Sequence, residues 1–225
     1  AAGHALDHIR LARAADAVVV APATADFCAR AAHGQADDLL TAILLATEAR
    51  VLLVPAMNDR MWAHVQTQRN AAHLREIGYQ VLDPEVGALA AGEGSGAGRM
   101  PEPETILAHV ARMLDDGSFR GRRVVVTAGP TREVVDPVRV LSNRSSGRMG
   151  VALASAAWRR GADVTLIAGP LEVAAPVGPT LVRVESTQEM AGAVRVAAGY
   201  ADVLIMAAAP ADGRAAVPSA SKIKK

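Results

Sequence analysis

One cysteine, Cys28, stands in 225 residues. No disulfide can therefore close within the chain, and a reducing compartment, the cytoplasm, is expected. Aromatic residues make up only 3%, which excludes a core built on large rings. The apolar half of the chain is Ala, Val and Leu instead, a composition that suits a buried parallel sheet under Ala-rich helices. Neither sign of charge dominates: the formal net charge is +1. That removes the global electrostatic argument for a nucleic acid or a membrane surface as partner. No apolar run is long enough to span a bilayer. The opening stretch AAGHALDHIRLARAAD has an amphipathic helical pattern, without the cationic start and cleavage site of a secretory signal. Walker A, GxSxG, GxGxxG after a first strand, and clusters at metal-ligand spacing are also missing. Ordinary dinucleotide binding is therefore not indicated.

What is present is alternation. Residues 6–14 carry a helical stripe, and 17–21 form a short apolar run that reads as a buried strand broken by Pro22. Helical patterns follow at 29–32 and 38–46, split by His33-Gly34. A strand is expected at 51–54, a helix over 62–77 with Gly78 as its left-handed stop, and a short strand at 80–82. Residues 87–98, GALAAGEGSGAG, suit no regular element and read as a lid or a linker. A helix at 102–114 ends in Asp115-Asp116-Gly117-Ser118, where the domain boundary is placed, giving units 1–117 and 118–225. The pattern then restarts: strands at 123–127, 163–167, 181–184 and 203–206, helices at 147–160 and 187–198, the latter capped by Ser186 or Thr187, and a loop from 207 on. The fold class expected is α/β, two Rossmann-like, doubly wound units with parallel sheets. The chain opens without Met and stops at Lys222-Ile223-Lys224-Lys225, so a fragment of a longer protein, with both units incomplete, is expected.

The stretch 122–150, RRVVVTAGPTREVVDPVRVLSNRSSGRMG, reads as strand, polar loop and helix start. In α/β sheets ligands bind outside the carboxyl ends of strands, often against a helix N-terminus. Thr127, Thr131, Arg132, Asn143, Ser145 and Ser146 are polar groups that can serve a ligand there. The plainer alternative is a turn with Ser146 as the helix N-cap.

Eight ordered motifs, APATAD, ADDLL, VPAMNDRMW, GRMPEP, TAGPTREVVDPVR, SNRSSGRMG, RRGADVTLIAGP and KIKK, together resemble one family. It is the bifunctional phosphopantothenoylcysteine decarboxylase / phosphopantothenate–cysteine ligase of bacterial coenzyme A biosynthesis. The resemblance covers nearly the whole chain. It implies that the first half belongs to a decarboxylase that oxidises the substrate's cysteinyl moiety with FMN, releases CO₂, then reduces and protonates an enethiol. His8 falls at the catalytic histidine and Asn58 at the ligand of the substrate carboxylate. Ala21, Pro22, Ala23 and Thr24 fall at the FMN site, and Arg99 and Met100 at the anchor of a mobile clamp. One departure stands out: the family's clamp thiol falls on Gly92, or on Ala91 with a one-residue insertion. Cys28 reads as a buried structural residue. Another acid such as Glu93 or a water, a variant clamp, or an impaired decarboxylase accounts for the change; losing a positioned acid costs about 10²–10⁴-fold.

For the second half the resemblance implies CTP-dependent joining of 4′-phosphopantothenate to cysteine through an acyl-cytidylate, with Mg²⁺ screening the phosphates and no dedicated metal cage visible. Asn143 falls at the acyl-cytidylate, Lys222 at the CTP-contacting lysine and Asp212 at the acidic residue of the nucleotide site. Met206, Ala207 and Ala208 fall on the backbone lining CTP. Pro210 and Gly213 replace an apolar residue and an aromatic of the family's pattern. Taken without the family, Lys222, Lys224 and Lys225 read as a solvated basic tail. The family also implies homo-oligomers, with small molecules rather than nucleic acid or membrane as partners. The competing readings are a flavin-binding regulatory or interaction protein, which a missing clamp thiol permits, and an unrelated nucleotide-binding α/β module.

Overall fold

A computed structural model of the protein describes residues 6–89, 92 and 94–224. The chain divides into two compact units, Ala1–Leu114 and Asp115–Lys225.

The first unit runs α1 (Asp7–Ala14), β1 (Ala17–Ala23), α2 (Ala25–Ala32), α3 (Leu39–Ala46), β2 (Arg50–Pro55), α4 (Asp59–Ala63), α5 (Val65–Glu76), β3 (Gln80–Val81), β4 (Glu85–Ala88), β5 (Ser95–Arg99) and α6 (Pro103–Leu114). Strands β1, β2 and β3 make a parallel sheet with β2 in the centre. Side chains alternate across a strand, and β2 has apolar cover on both faces. Val51 and Leu53 join Val20, Phe27, Cys28, Leu44 and Leu74 on one side. Leu52 and Val54 meet Met113, with Met100, Ile106 and Val110 packed around them. That double burial explains the unbroken apolar run in the sequence.

Local polar chemistry moves several boundaries. β1 continues through Pro22 to Ala23, across a register shift between Val20 and Ala23. The first helical region begins at Ala25 rather than at 29, because the Thr24 hydroxyl accepts the Phe27 N–H at 3.1 Å and caps α2. The single helix expected over 62–77 is two, α4 and α5. His64 is extended between them, and its ring Nδ1 accepts the Gln66 N–H at 3.2 Å.

The stretch expected to hold no regular element contains most of an antiparallel hairpin, β4–β5. Two of its glycines, Gly96 and Gly98, serve close packing. A Cβ on Gly96 would lie 2.6 Å from that of Asp59, and one on Gly98 would collide with the Met57 carbonyl. The Met57 N–H donates to Gly98 O at 3.0 Å.

The second unit runs β6 (Arg123–Ala128), β7 (Arg132–Val134), β8 (Val140–Ser142), α7 (Arg148–Arg159), β9 (Asp163–Ala168), β10 (Thr180–Arg183), α8 (Thr187–Ala198) and β11 (Val203–Met206). Its sheet has the order β10-β9-β6-β11, every pair parallel. The winding reverses at β6: β9 and β10 step to one side and β11 returns on the other. A crevice opens outside the carboxyl ends of strands at such a reversal.

The polar loop after β6 holds a second small hairpin, β7–β8. The cap of α7 is Gly147 at φ +76°, not Ser146, whose Oγ accepts only a long 3.4 Å bond from the Arg148 N–H. Ser186 caps α8 in a reciprocal box with Glu189. No helix among the described residues is long and apolar enough to cross a membrane.

Gly150 sets the approach of α7 to β6. A Cβ there would lie 2.5 Å from Ala128 Cβ and 2.7 Å from Thr127 O. Gly150→Ala gains about 1 kcal/mol of helix propensity but overpacks this contact by about 1–3 kcal/mol. Thermal melts should therefore show a lowered midpoint; an unchanged or raised one would contradict the close approach.

Candidate functional site

The site in the second unit is built on a row of buried polar side chains that begins near the end of β6 and runs past it. Thr127 and Thr131 are fully buried, and Glu133 and Asp136 nearly so. None of the four turns to solvent; each binds a segment distant in sequence. Thr127 Oγ1 accepts the N–H groups of Ala207 and Ala208, both at 3.1 Å. Thr131 Oγ1 accepts the Ala211 N–H at 2.8 Å and pairs with Thr187 Oγ1 at 2.9 Å. Glu133 Oε1 accepts the Thr187 N–H at 2.7 Å, and Asp136 Oδ2 accepts the Ile223 N–H at 3.1 Å. Thr127 and Thr131, read from sequence as groups for a ligand, instead hold the loops around it.

The N–H of Ala209 also donates inward, to Gly129 O at 2.8 Å. The backbone donors at 207, 208 and 209 are thus all in use within the protein.

At the N-terminus of α7 lies a cavity of about 610 Å³, lined by Pro130, Arg132, Ser142, Asn143, Arg144, Ser145, Ser146, Pro170, Leu171 and Glu172. Two arginines, three serines and one carboxylate, Glu172, line this space beside the positive end of a helix; the cationic excess suits an anionic ligand. Asn143 reaches out of this lining to the 207–213 loop: its Nδ2 donates to Pro210 O at 2.8 Å.

Asp212 lines a different depression, about 410 Å³, with Glu133, Thr187, Gln188, Arg195 and Arg214. The Thr187 N–H beside Glu133 holds its carboxyl below the usual carboxylate range against the opposing effect of burial. Lys222 lies on a third stretch, next to the peptide of Ile223 that Asp136 holds, and is exposed. Asn143 and the 209–210 loop are therefore brought together, whereas Asp212 and Lys222 occupy separate ground around the same hairpin. Reasoning from sequence missed Glu133, Gln188, Arg195 and Arg214. The one available signal was the i, i+2 spacing of Thr131 and Glu133, which marks one face of a strand.

In the first unit, Ala21, Pro22 and Thr24 are exposed at the carboxyl end of β1, while Ala23 is buried and its carbonyl accepts the Ala56 N–H at 3.2 Å. Asn58 caps α4, its Oδ1 accepting the Arg60 N–H at 2.9 Å. Met57, its neighbour, is joined to β5 through Gly98. Arg99 pairs with Glu102, and Met100 packs into the core beside Leu52, Val54 and Met113. His8 is half-buried on the first turn of α1, which packs on α3. Cys28 is buried, and burial pushes its thiol up to about 11. That makes it an inert core residue. Gly92 is exposed at φ +90°, a backbone that strains any side-chain-bearing residue. Ala91 and Glu93 lie outside the described residues.

The model of the Flavoprotein family matches residues 2–115. The chain belongs to the flavoprotein family. Residues 119–225 match a second model, the DNA/pantothenate metabolism flavoprotein C-terminal domain. The chain is 51% identical over 227 residues to the coenzyme A biosynthesis bifunctional protein CoaBC of Mycobacterium tuberculosis, covering 98% of this chain and 54% of the relative. It is 44% identical over 225 residues to the protein of the same name from Vibrio vulnificus, covering 100% and 56%. The chain thus spans about half the length of the curated relatives it matches. A solved structure of the C-terminal domain of CoaBC shares 45% identity over 45% of this chain and 52% of that one, with a TM-score of 0.44.

A carboxylate whose proton affinity is lowered by folding stabilises the fold above its unfolded pKa, and that stability is lost as the pH falls through the folded pKa. Glu133 is such a group. Melts of the protein should weaken as the pH drops below about 4. Glu133→Gln should be less stable at pH 7 and show a shallower acid limb; a limb of unchanged slope would mean the Thr187 contact is not made.

Proposed function

We propose that this chain is part of a bifunctional enzyme of coenzyme A biosynthesis. Its second unit joins 4′-phosphopantothenate to cysteine at the expense of CTP, and its first unit serves FMN-dependent decarboxylation of 4′-phosphopantothenoylcysteine. The observation that carries the ligase part is the cavity at the start of α7, where Arg132, Arg144, Ser145 and Ser146 line one space. The names borne by the relatives support both parts.

Joining a carboxylate to a triphosphate brings two anions together, so the transition state needs fixed donors and cations. Arg132 and Arg144 offset that charge. The carboxylate displaces pyrophosphate from CTP, giving an acyl-cytidylate held at Asn143; the cysteine amine then displaces CMP. Asn143, tied to Pro210 O, sets the distance between the acyl site and the 207–213 loop; the backbone of Met206, at the end of β11, and of Ala207 and Ala208 lines the base of CTP. Asp212 completes the nucleotide side, and Lys222 meets the phosphates. No three His, Cys, Asp or Glu side chains among the described residues group to hold a metal. Mg²⁺ would therefore arrive with the triphosphate, keeping most of its waters.

For FMN, the ledge at the end of β1 fits the flat part of the group in kind. Ala21 and Pro22 present small apolar surfaces, and the Thr24 hydroxyl, which accepts from Phe27 N–H, still has a proton to donate. These residues carry no cation for its phosphate. When bound there, FMN would supply the two-electron oxidation that precedes CO₂ loss. Asn58 would hold the substrate carboxylate by its amide without adding charge that opposes its departure, and the His8 imidazole would carry a proton. Gly92, where the clamp thiol is expected, favours a second reading of this half: a flavin-binding interaction protein with slowed or lost decarboxylation.

Separate assays on the full-length parent protein test the proposal. CTP-dependent joining should proceed, and CO₂ release decides between the two readings of the first half; absence of both activities contradicts the proposal. Asn143→Asp should slow ligation about 10²-fold while leaving CTP binding within a few-fold; unchanged turnover rules out its role. Asn58→Asp should weaken binding of the acidic decarboxylase substrate about tenfold or more through charge repulsion, and equal affinity counts against it.

A further inference from the structure

The two peptide groups that flank Ile223 are both held by side chains of the loop between β7 and β8. The Ile223 N–H donates to Asp136 Oδ2 at 3.1 Å, and the Ile223 carbonyl accepts Arg139 Nη2 at 2.9 Å. Asp136 and Arg139 are themselves locked together: Nε and Nη2 of Arg139 donate to Asp136 Oδ2 at 2.9 and 2.6 Å. The other carboxylate oxygen accepts the N–H groups of Val138 and Arg139 at 2.9 and 2.8 Å. The Asp136 side chain is fully buried, and the Arg139 guanidinium beside it holds its carboxyl well below the usual carboxylate range. A second tie, the Ser219 N–H to Val135 O at 3.0 Å, fixes the same segment four residues earlier.

Arg139 is half-exposed, so solvent screens its pairing with the buried Asp136, and such a pair is weak evidence for stability alone. What it does here is fix the backbone between two exposed lysines, Lys222 and Lys224. We propose that Asp136 and Arg139 form a clasp whose role is to position these lysines, and that Asp136 is a positioning residue for the Lys222 contact with the triphosphate. The role toward CTP rests on the ligase reading above; the clasp itself does not. A lysine on a flexible stem loses several rotors when it meets a phosphate. Fixing its backbone beforehand removes part of the ordering cost that binding would otherwise bear.

The test uses the full-length protein in two arms. The first needs no ligand: trypsin cleavage after Lys222 and Lys224 should be slow in the wild type and about tenfold or more faster in Asp136→Asn and in Arg139→Gln, since local opening controls cleavage. Equal rates overturn the clasp. The second arm is a double-mutant cycle on the KM for CTP. Asp136→Asn should raise it about tenfold with the KM for cysteine unchanged, and should add nothing once Lys222→Met is present. Full additivity overturns the positioning role, because a general loss of structure would act whether or not Lys222 is there. If the wild type binds no CTP, the ligase reading fails and the positioning role falls with it, while the trypsin arm still decides whether the clasp exists.

Discussion

A buried hydroxyl or carboxylate left without a partner costs about 1–3 kcal/mol, and one short segment of this chain carries four such groups, Thr127, Thr131, Glu133 and Asp136. Meeting that constraint shapes the second unit. The partners are backbone N–H groups at 187, 207, 208, 211 and 223. Two stretches without extended regular structure are thereby tied down, 207–213 at the carboxyl ends of β6 and β11 and 219–223 at the loop between β7 and β8. The sheet provides the crevice, and the buried row decides which loops stand around it. Asn143 adds the last link, from the loop before α7 to Pro210.

The first unit solves a related problem with backbone instead of side chains. The PAMN loop after β2 is joined to β5 by the Met57 N–H, and glycines at 96 and 98 allow the two to touch. A hairpin packed this closely at one end cannot be a loose linker. Its anchor continues through Arg99, paired with Glu102, and Met100, which sits in the core.

Much of this was legible in the sequence, and the failures have physical causes. Buried strands such as β2 and β6 announce themselves as apolar runs, and the alternation of strand and helix gives parallel sheets. Residues 87–98 misled because glycine reads locally as a turn signal, whereas Gly96 and Gly98 are small to admit Asp59 and Met57 from elsewhere in the chain. His64 could not be read as a break in 62–77, since capping through a ring nitrogen is rare. The same limit applies to the site. Asn143, Ser145 and Ser146, just before a helix start, and Arg132 on β7 were readable as polar groups after β6, and they line one cavity. Thr127 and Thr131 look identical to them in sequence, yet face inward, and only the return of 207–211 in three dimensions reveals it.

The central claim is that buried side chains, rather than ligands, hold the loops of the second unit. Amide hydrogen exchange on the ligand-free, full-length protein measures this directly. The account predicts slow exchange at Ala207, Ala208, Ala211 and Ile223, well below that of exposed neighbours such as Gly213 and Arg214. If those four amides exchange as fast as their neighbours, and slow only when nucleotide is added, the ligand organises the loops and the buried row does not.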